Sequence, residues 1–161
     1  GPWQFPEKLI PVVILKALSN EQIPVYGDGS NVRDWLFVED HVDALIKVVM
    51  NGGIGENYCI GGNNEATNLE IVELICKIID TNLKSNSSKK ELITFVKDRP
   101  GHDKRYAIDS NKIKNKLNWE PKYGFKNGLE LTVEWYMNNI EWCKRVNSNN
   151  FYTDKRLKNL T

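Results

Sequence analysis

No run of apolar residues in this 161-residue chain approaches the length needed to cross a bilayer; the longest, residues 12–18, is short and interrupted. Charge of one sign is also lacking. The 22 Lys and Arg residues nearly balance 21 Asp and Glu for a formal net of +1, so the broad basic footprint that nucleic acid needs is missing. No nucleic-acid partner and no membrane partner is expected. Histidine is scarce, with only His41 and His102 and no neighbour at ligand spacing. Cys59, Cys76 and Cys143 lie far apart and form no Cys-x-x-Cys pair. A metal site is therefore not expected, and scattered thiols suit a reducing, cytoplasmic setting better than a disulfide scaffold. The opening Gly1-Pro2-Trp3 does not read as a secretory signal. A glycine-rich dinucleotide loop is missing too: Gly27-Asp28-Gly29 has no third glycine at the required spacing, so it reads as a turn.

What is present is ordinary globular composition, 40% hydrophobic and 27% charged, in a chain about one domain long. Residues 11–18 read as a helix with Pro11 in its first turn and Val13, Ile14, Ala17 and Leu18 as its apolar stripe. Residues 23–26 form a short strand, and 33–37 are extended. Residues 40–50 form a helix with Val42, Leu45, Ile46 and Val49 on one face, stopped by Gly52-Gly53. A brief strand spans 57–60. Thr67 stands three residues before Glu70, the capping-box spacing, and opens a helix to about Ile79 with Leu69, Val72, Ile75, Cys76 and Ile79 inward. Residues 81–90 are polar and read as a mobile loop. A strand at 92–96 follows, then a short helix to Leu117 capped by Asp109 or Ser110, and a last helix over 128–142. From residue 144 the pattern dissolves into a polar tail, expected to be disordered through 161.

The most informative stretch is Asp98-Arg99-Pro100-Gly101-His102-Asp103, followed by Arg105-Tyr106. Pro fixes φ and Gly accepts angles that others avoid, so Pro100-Gly101 marks a turn. A turn that clusters Arg99, His102 and Arg105 suits a phosphate or diphosphate; otherwise it is a solvated charged loop.

Four stretches together resemble the C-terminal part of the dTDP-glucose 4,6-dehydratases, members of the extended short-chain dehydrogenase/reductase superfamily. They are Gly1-Pro2-Trp3-Gln4-Phe5-Pro6-Glu7-Lys8-Leu9-Ile10-Pro11, Pro24-Val25-Tyr26-Gly27-Asp28-Gly29 with Asn31-Val32-Arg33-Asp34-Trp35, Ile60-Gly61-Gly62 leading to Thr67-Asn68-Leu69-Glu70, and the arginine-rich turn. The first and last are the narrow signals; the second is shared by many nucleotide-sugar enzymes. The resemblance implies an α/β fold in which residues 1–143 are the substrate-binding portion, with elements that normally complete a Rossmann domain. The glycine-rich Rossmann half is absent. So is any Tyr with a Lys four positions later. The chain therefore reads as a fragment, expected to be inactive alone, and no catalytic residue is assigned to it.

By the same resemblance the parent enzyme uses NAD, held by the missing N-terminal Rossmann half. It acts as a homodimer and converts dTDP-glucose to the 4-keto-6-deoxy sugar nucleotide plus water. Arg33 and Arg99 then hold the diphosphate with His102 beside them, the alternative for Arg33 being a salt bridge with Asp34 or Asp28. Tyr26, on the strand with Pro24, either contacts the thymine base or packs in the core. Asn68 is either a helix-start residue or a phosphate ligand. Lys8 and Leu9 line the nucleotide-sugar cleft. Asp40 and His41 are explained by capping and packing. Two other readings stand beside this one: a nucleotide-sugar epimerase or dehydratase that takes another base, and a binding module without catalysis.

Overall fold

The computed structural model describes residues 1–148. In chain order the elements are α1 (Leu9–Leu18), β1 (Ile23–Tyr26), β2 (Val32–Asp34), α2 (Val38–Asn51), β3 (Glu65–Thr67) and α3 (Asn68–Leu83). A 3₁₀ turn (Lys89–Leu92), β4 (Ile93–Val96), β5 (Arg105–Tyr106), α4 (Asn111–Leu117), α5 (Phe125–Asn138) and α6 (Ile140–Ser148) complete it. The strands make two small sheets. β1 and β4 pair in parallel, while β2 lies between antiparallel β3 and parallel β5.

The main core gathers around α3. Ile71, Val72, Ile75, Cys76 and Ile79 have no measurable exposure, and Val13, Ile14, Ala17, Ile23, Val25, Leu129, Val133 and Tyr136 close around them. Fully burying one such Ile stabilises the fold by about 1.5–3 kcal/mol. The helix is buried on a wider face than a single stripe, since Ile71 and Ile78 also point inward, whereas Leu69 is only half-buried. A second cluster joins Ala44 of α2 to Ile113, Leu117 and Trp119.

On α2, Asp40 is buried, and its carboxylate accepts hydrogen bonds from the backbone N–H groups of Lys122 (2.8 Å) and Tyr123 (3.1 Å). That is a packing role. Val42, Leu45, Ile46 and Val49, by contrast, are 47%, 47%, 54% and 87% exposed. An amphipathic helix that shows its apolar stripe to water has lost, or not yet met, the surface that covers it.

Five sequence expectations shift. The extended stretch at 33–37 narrows to Val32–Asp34, because beyond Asp34 the chain leaves the sheet and Trp35 Nε1 donates to the Ala66 carbonyl at 3.2 Å. Residues 57–60 form no strand, since no neighbour among the described residues offers a ladder. The helix at 128–142 begins earlier, at Phe125, and breaks at Asn139, whose Nδ2 donates to the Trp135 carbonyl at 2.8 Å. Helix α6 then runs to Ser148, past residue 144; the rest of the expected tail lies outside the described residues. The polar 81–90 stretch begins within α3 and ends in the 3₁₀ turn, where Lys89 is buried and donates through Nζ to Asn20 Oδ1.

Candidate nucleotide-binding site

Parallel pairing sets the site. Tyr26 stands opposite Val96 at the last rung of β1 and β4, so the loops that follow both strands leave from the same edge. Gly27 N–H donates to the Val96 carbonyl at 2.9 Å, which fastens the two loops at their roots. The β1–β2 loop then turns on Gly29 at φ +73°, where an added Cβ would meet Val25 at 2.8 Å and Leu69 at 2.9 Å. Only glycine fits that turn.

The arginine-rich turn is closed by Asp98. Its Oδ1 accepts from Arg99 N–H at 2.8 Å and lies 2.7 Å from His102 Nδ1, while Gly101 at φ +68° brings the chain back. The His102 contact first, with the Arg99 amide helping, holds the Asp98 carboxyl below the usual carboxylate range. The far end of the turn is tied to β2. The Asp103 carbonyl accepts from Asn31 Nδ2 (3.1 Å) and from the Arg33 guanidinium (2.8 Å), and Val32 N–H donates to the Lys104 carbonyl (2.9 Å). Arg33 and the Arg99–His102 turn therefore belong to one locked unit although they are far apart in sequence.

Arg33 is 8% exposed, gives its second bond to its neighbour's carbonyl (Val32 O, 2.7 Å), and lies 4.3 Å from the centre of the Tyr106 ring. The alternative salt bridge does not form. Asp34 instead accepts from Gly62 and Asn64 N–H, both at 2.8 Å, and Asp28 is held by Ser30. Tyr26 is 42% exposed at the sheet edge, so it is not a core residue; Pro24, two positions earlier on the same face, is half-buried.

Arg105 departs from expectation. Its Nε and one terminal nitrogen grip both oxygens of Glu65 at 2.6 and 2.7 Å, a two-pronged pair that ties β5 to β3 across β2. That guanidinium is structural; on the turn Arg99 is exposed, whereas the His102 side chain is 7% exposed and held by Asp98. Asn68 is the first residue of α3, with Thr67 as the cap. Its backbone N–H donates to the Asn31 carbonyl at 3.0 Å, Leu69 N–H to the Gly29 carbonyl at 3.0 Å, and Glu70 N–H to Thr67 Oγ1 at 3.1 Å. The first amides of the helix are thus committed to protein oxygens, so only the Asn68 side chain remains to meet an anion there. Lys8 and Leu9 stand elsewhere, at the start of α1. Lys8 is paired with Glu7 at 2.8 Å, and half-buried Leu9 packs on the main core. No hydrogen bond or ion pair among the described residues joins them to the turn, whereas Tyr26, Arg33, Asn68, Arg99 and His102 stand on segments tied together by the Gly27–Val96, Asn68–Asn31 and Arg33–Asp103 hydrogen bonds.

The sequence reading quotes Asn31, Asp98, Asp103 and Tyr106 within its motifs but gives them no role, although they hold the unit together. Thr67→Ala removes the hydroxyl that accepts from Glu70 N–H and donates to the Glu70 carboxylate, and a loss of about 0.5–2 kcal/mol is expected in a denaturant or thermal melt.

The comparisons with known proteins agree with this architecture. The family model described as GDP-mannose 4,6 dehydratase matches residues 1–132, and the chain belongs to that family. Among curated relatives, the dTDP-glucose 4,6-dehydratase of Xanthomonas campestris pv. campestris (strain B100) is 52% identical over 148 residues, covering 91% of this chain and 42% of its own length. The dTDP-glucose 4,6-dehydratase 1 of Escherichia coli (strain K12) is 51% identical over 148 residues, covering 92% of this chain and 41% of its own. The chain thus spans about two fifths of the curated relatives it matches. Among solved structures, the dTDP-glucose 4,6-dehydratase from Bacillus anthracis str. Ames in complex with NAD superposes with TM-score 0.79 at 51% identity, covering 91% of this chain and 44% of that one. DesIV, a dTDP-glucose 4,6-dehydratase from Streptomyces venezuelae with NAD and TYD bound, gives 0.80 at 39% identity, covering 91% and 43%. The matched region is the C-terminal portion of these enzymes.

Proposed function

We propose that this chain is the nucleotide-holding portion of an NAD-dependent dTDP-glucose 4,6-dehydratase, a lyase of deoxysugar biosynthesis. The observation that supports the reading is the locked unit in which the Asp103 carbonyl ties Arg33 to the turn whose Asp98 carboxylate holds His102 and the Arg99 backbone. A guanidinium from β2 together with a guanidinium and an imidazole from one turn suit a doubly charged diphosphate. Tyr26 at the same edge presents a ring for the base, and Lys8 and Leu9 flank the sugar side. The parent enzyme eliminates water from dTDP-glucose to give the 4-keto-6-deoxy product. NAD does not fit the residues present: the Gly27–Gly29 turn is filled by Val25 and Leu69, and Gly29 N–H already donates to the Tyr26 carbonyl. An N-terminal Rossmann half supplies that site.

The uncovered face of α2 and the unpaired residues 57–60 are where that half packs, so a helix face and a strand of this chain complete it. The assembled enzyme is proposed to be a homodimer. A cytoplasmic setting suits its three free cysteines.

A second reading has a specific basis, since the matching family model is described by GDP-mannose and a UDP-glucose 4-epimerase from Thermotoga maritima also superposes, with TM-score 0.75 at 29% identity, covering 87% of this chain and 43% of that one. Base preference separates the two. In a chimera with the N-terminal half of the Bacillus anthracis enzyme, calorimetry is expected to show dTDP binding at least about tenfold more tightly than UDP or GDP, a difference of ~1.4 kcal/mol. Equal or tighter binding of GDP would transfer the chain to another base.

A further inference from the structure

Trp3 adopts φ +64°, a left-handed angle that a bulky side chain reaches at a cost of about 1–2 kcal/mol. It is also 64% exposed, so burial does not repay the strain. What surrounds it is a triangle of indoles. Trp3 meets Trp135 at 4.8 Å and Trp142 at 5.4 Å between ring centres, and Trp135 meets Trp142 at 5.3 Å, all edge-on. Such aromatic pairs contribute about 0.5–1.5 kcal/mol each beyond area, enough together to hold the strained residue.

The next residue is pinned as well. Tyr136, fully buried in the main core, donates its hydroxyl to the Gln4 carbonyl at 2.6 Å, and its ring stands 5.0 Å from Trp135. Burial pushes the phenol well above its usual range, so it remains a donor. The chain then closes through Glu7 N–H to the Phe5 carbonyl at 2.8 Å, with Pro6 buried, and delivers Lys8 as the cap of α1. The triangle exists only because α5 and α6 part at Asn139: a continuous helix would carry Trp142 on along the α5 axis.

We propose that Trp3, Trp135, Trp142 and Tyr136 form a positioning clamp through which the α5–α6 bend fixes Lys8 and Leu9 at the sugar side of the nucleotide. The clamp deepens the proposed function and rests on it for the identity of the ligand. These four residues touch no reacting atom; they act through the backbone of residues 3–8.

The test uses the 161-residue chain with Trp142→Ala, Trp142→Phe and Trp3→Gly. Glycine tolerates φ +64° without strain, so the last variant removes the indole while sparing the backbone. Hydrogen exchange at the amides of Gln4, Phe5, Glu7, Lys8 and Leu9 is expected to quicken about tenfold in Trp142→Ala and Trp3→Gly, with α3 unchanged, and to return near wild type in Trp142→Phe. Calorimetry with dTDP-glucose is expected to show weakening of about three- to tenfold in the first two variants and recovery in the third. Unchanged exchange over residues 4–9 in Trp3→Gly, or loosening of α3 to the same degree, overturns the clamp. So does undiminished dTDP-glucose affinity in both Trp142→Ala and Trp3→Gly. Absence of any dTDP-glucose binding by the wild-type chain counts against the proposed function instead, and the exchange result still decides the clamp.

Discussion

Mixed with NAD and dTDP-glucose, the chain alone is expected to form no 4-keto-6-deoxy product above a buffer blank. The reaction requires a hydride acceptor beside the sugar and groups that move protons there, and the described residues gather neither. The cations proposed at the candidate edge suit anions, and the Asp98 carboxylate of the turn is spent on His102 and the Arg99 amide. Joined to the N-terminal half of the Bacillus anthracis relative, the same residues are expected to support turnover, a change from none to full catalysis. The apolar stripe of α2 explains why the junction also matters for solubility. With Val49 87% exposed beside Leu45 and Ile46, the isolated chain is expected to self-associate in light scattering, and the chimera to disperse. Turnover by the chain alone would contradict this division of labour outright.

Features that depend on neighbours in sequence were legible, and those that depend on distant partners were not. The Thr67–Glu70 cap is three residues wide, so spacing reveals it. The turn at Pro100-Gly101 is equally local. The exposed stripe of α2 was readable as a stripe because helical period is intrinsic to the segment. A strand, however, exists only with a partner, and residues 57–60 have none among those described. The break at Asn139 was hidden because Leu129, Val133, Tyr136 and Ile140 keep helical spacing straight across it. Arg105 illustrates the same limit at the site. Its place in a cationic run suggests a phosphate ligand, yet the β3–β2–β5 order brings Glu65, forty residues away in sequence, into its fork. Asn68 was readable as a helix start, but the loop carbonyls that occupy the first amides of α3 were not.

Arg99 carries the central claim. It is exposed on the turn, its guanidinium makes no hydrogen bond among the described residues, and its backbone is held by Asp98. Arg33, by contrast, already spends two donors on backbone carbonyls and stacks on Tyr106, so its removal perturbs the unit as well as the ligand. A charge-assisted hydrogen bond to a phosphate contributes about 1.5–3 kcal/mol. Losing Arg99 is therefore expected to weaken dTDP binding by roughly ten- to a hundredfold. Lysine keeps the charge but not the planar fork, so Arg99→Lys is expected to recover only part of that affinity. The decisive measurement is calorimetric titration of dTDP into the chimera carrying wild type, Arg99→Ala or Arg99→Lys, with unchanged melting temperatures as the control for folding. The account predicts the affinity order wild type, Arg99→Lys, Arg99→Ala; an Arg99→Ala protein that binds dTDP as tightly as wild type contradicts it and returns the turn to a solvated loop.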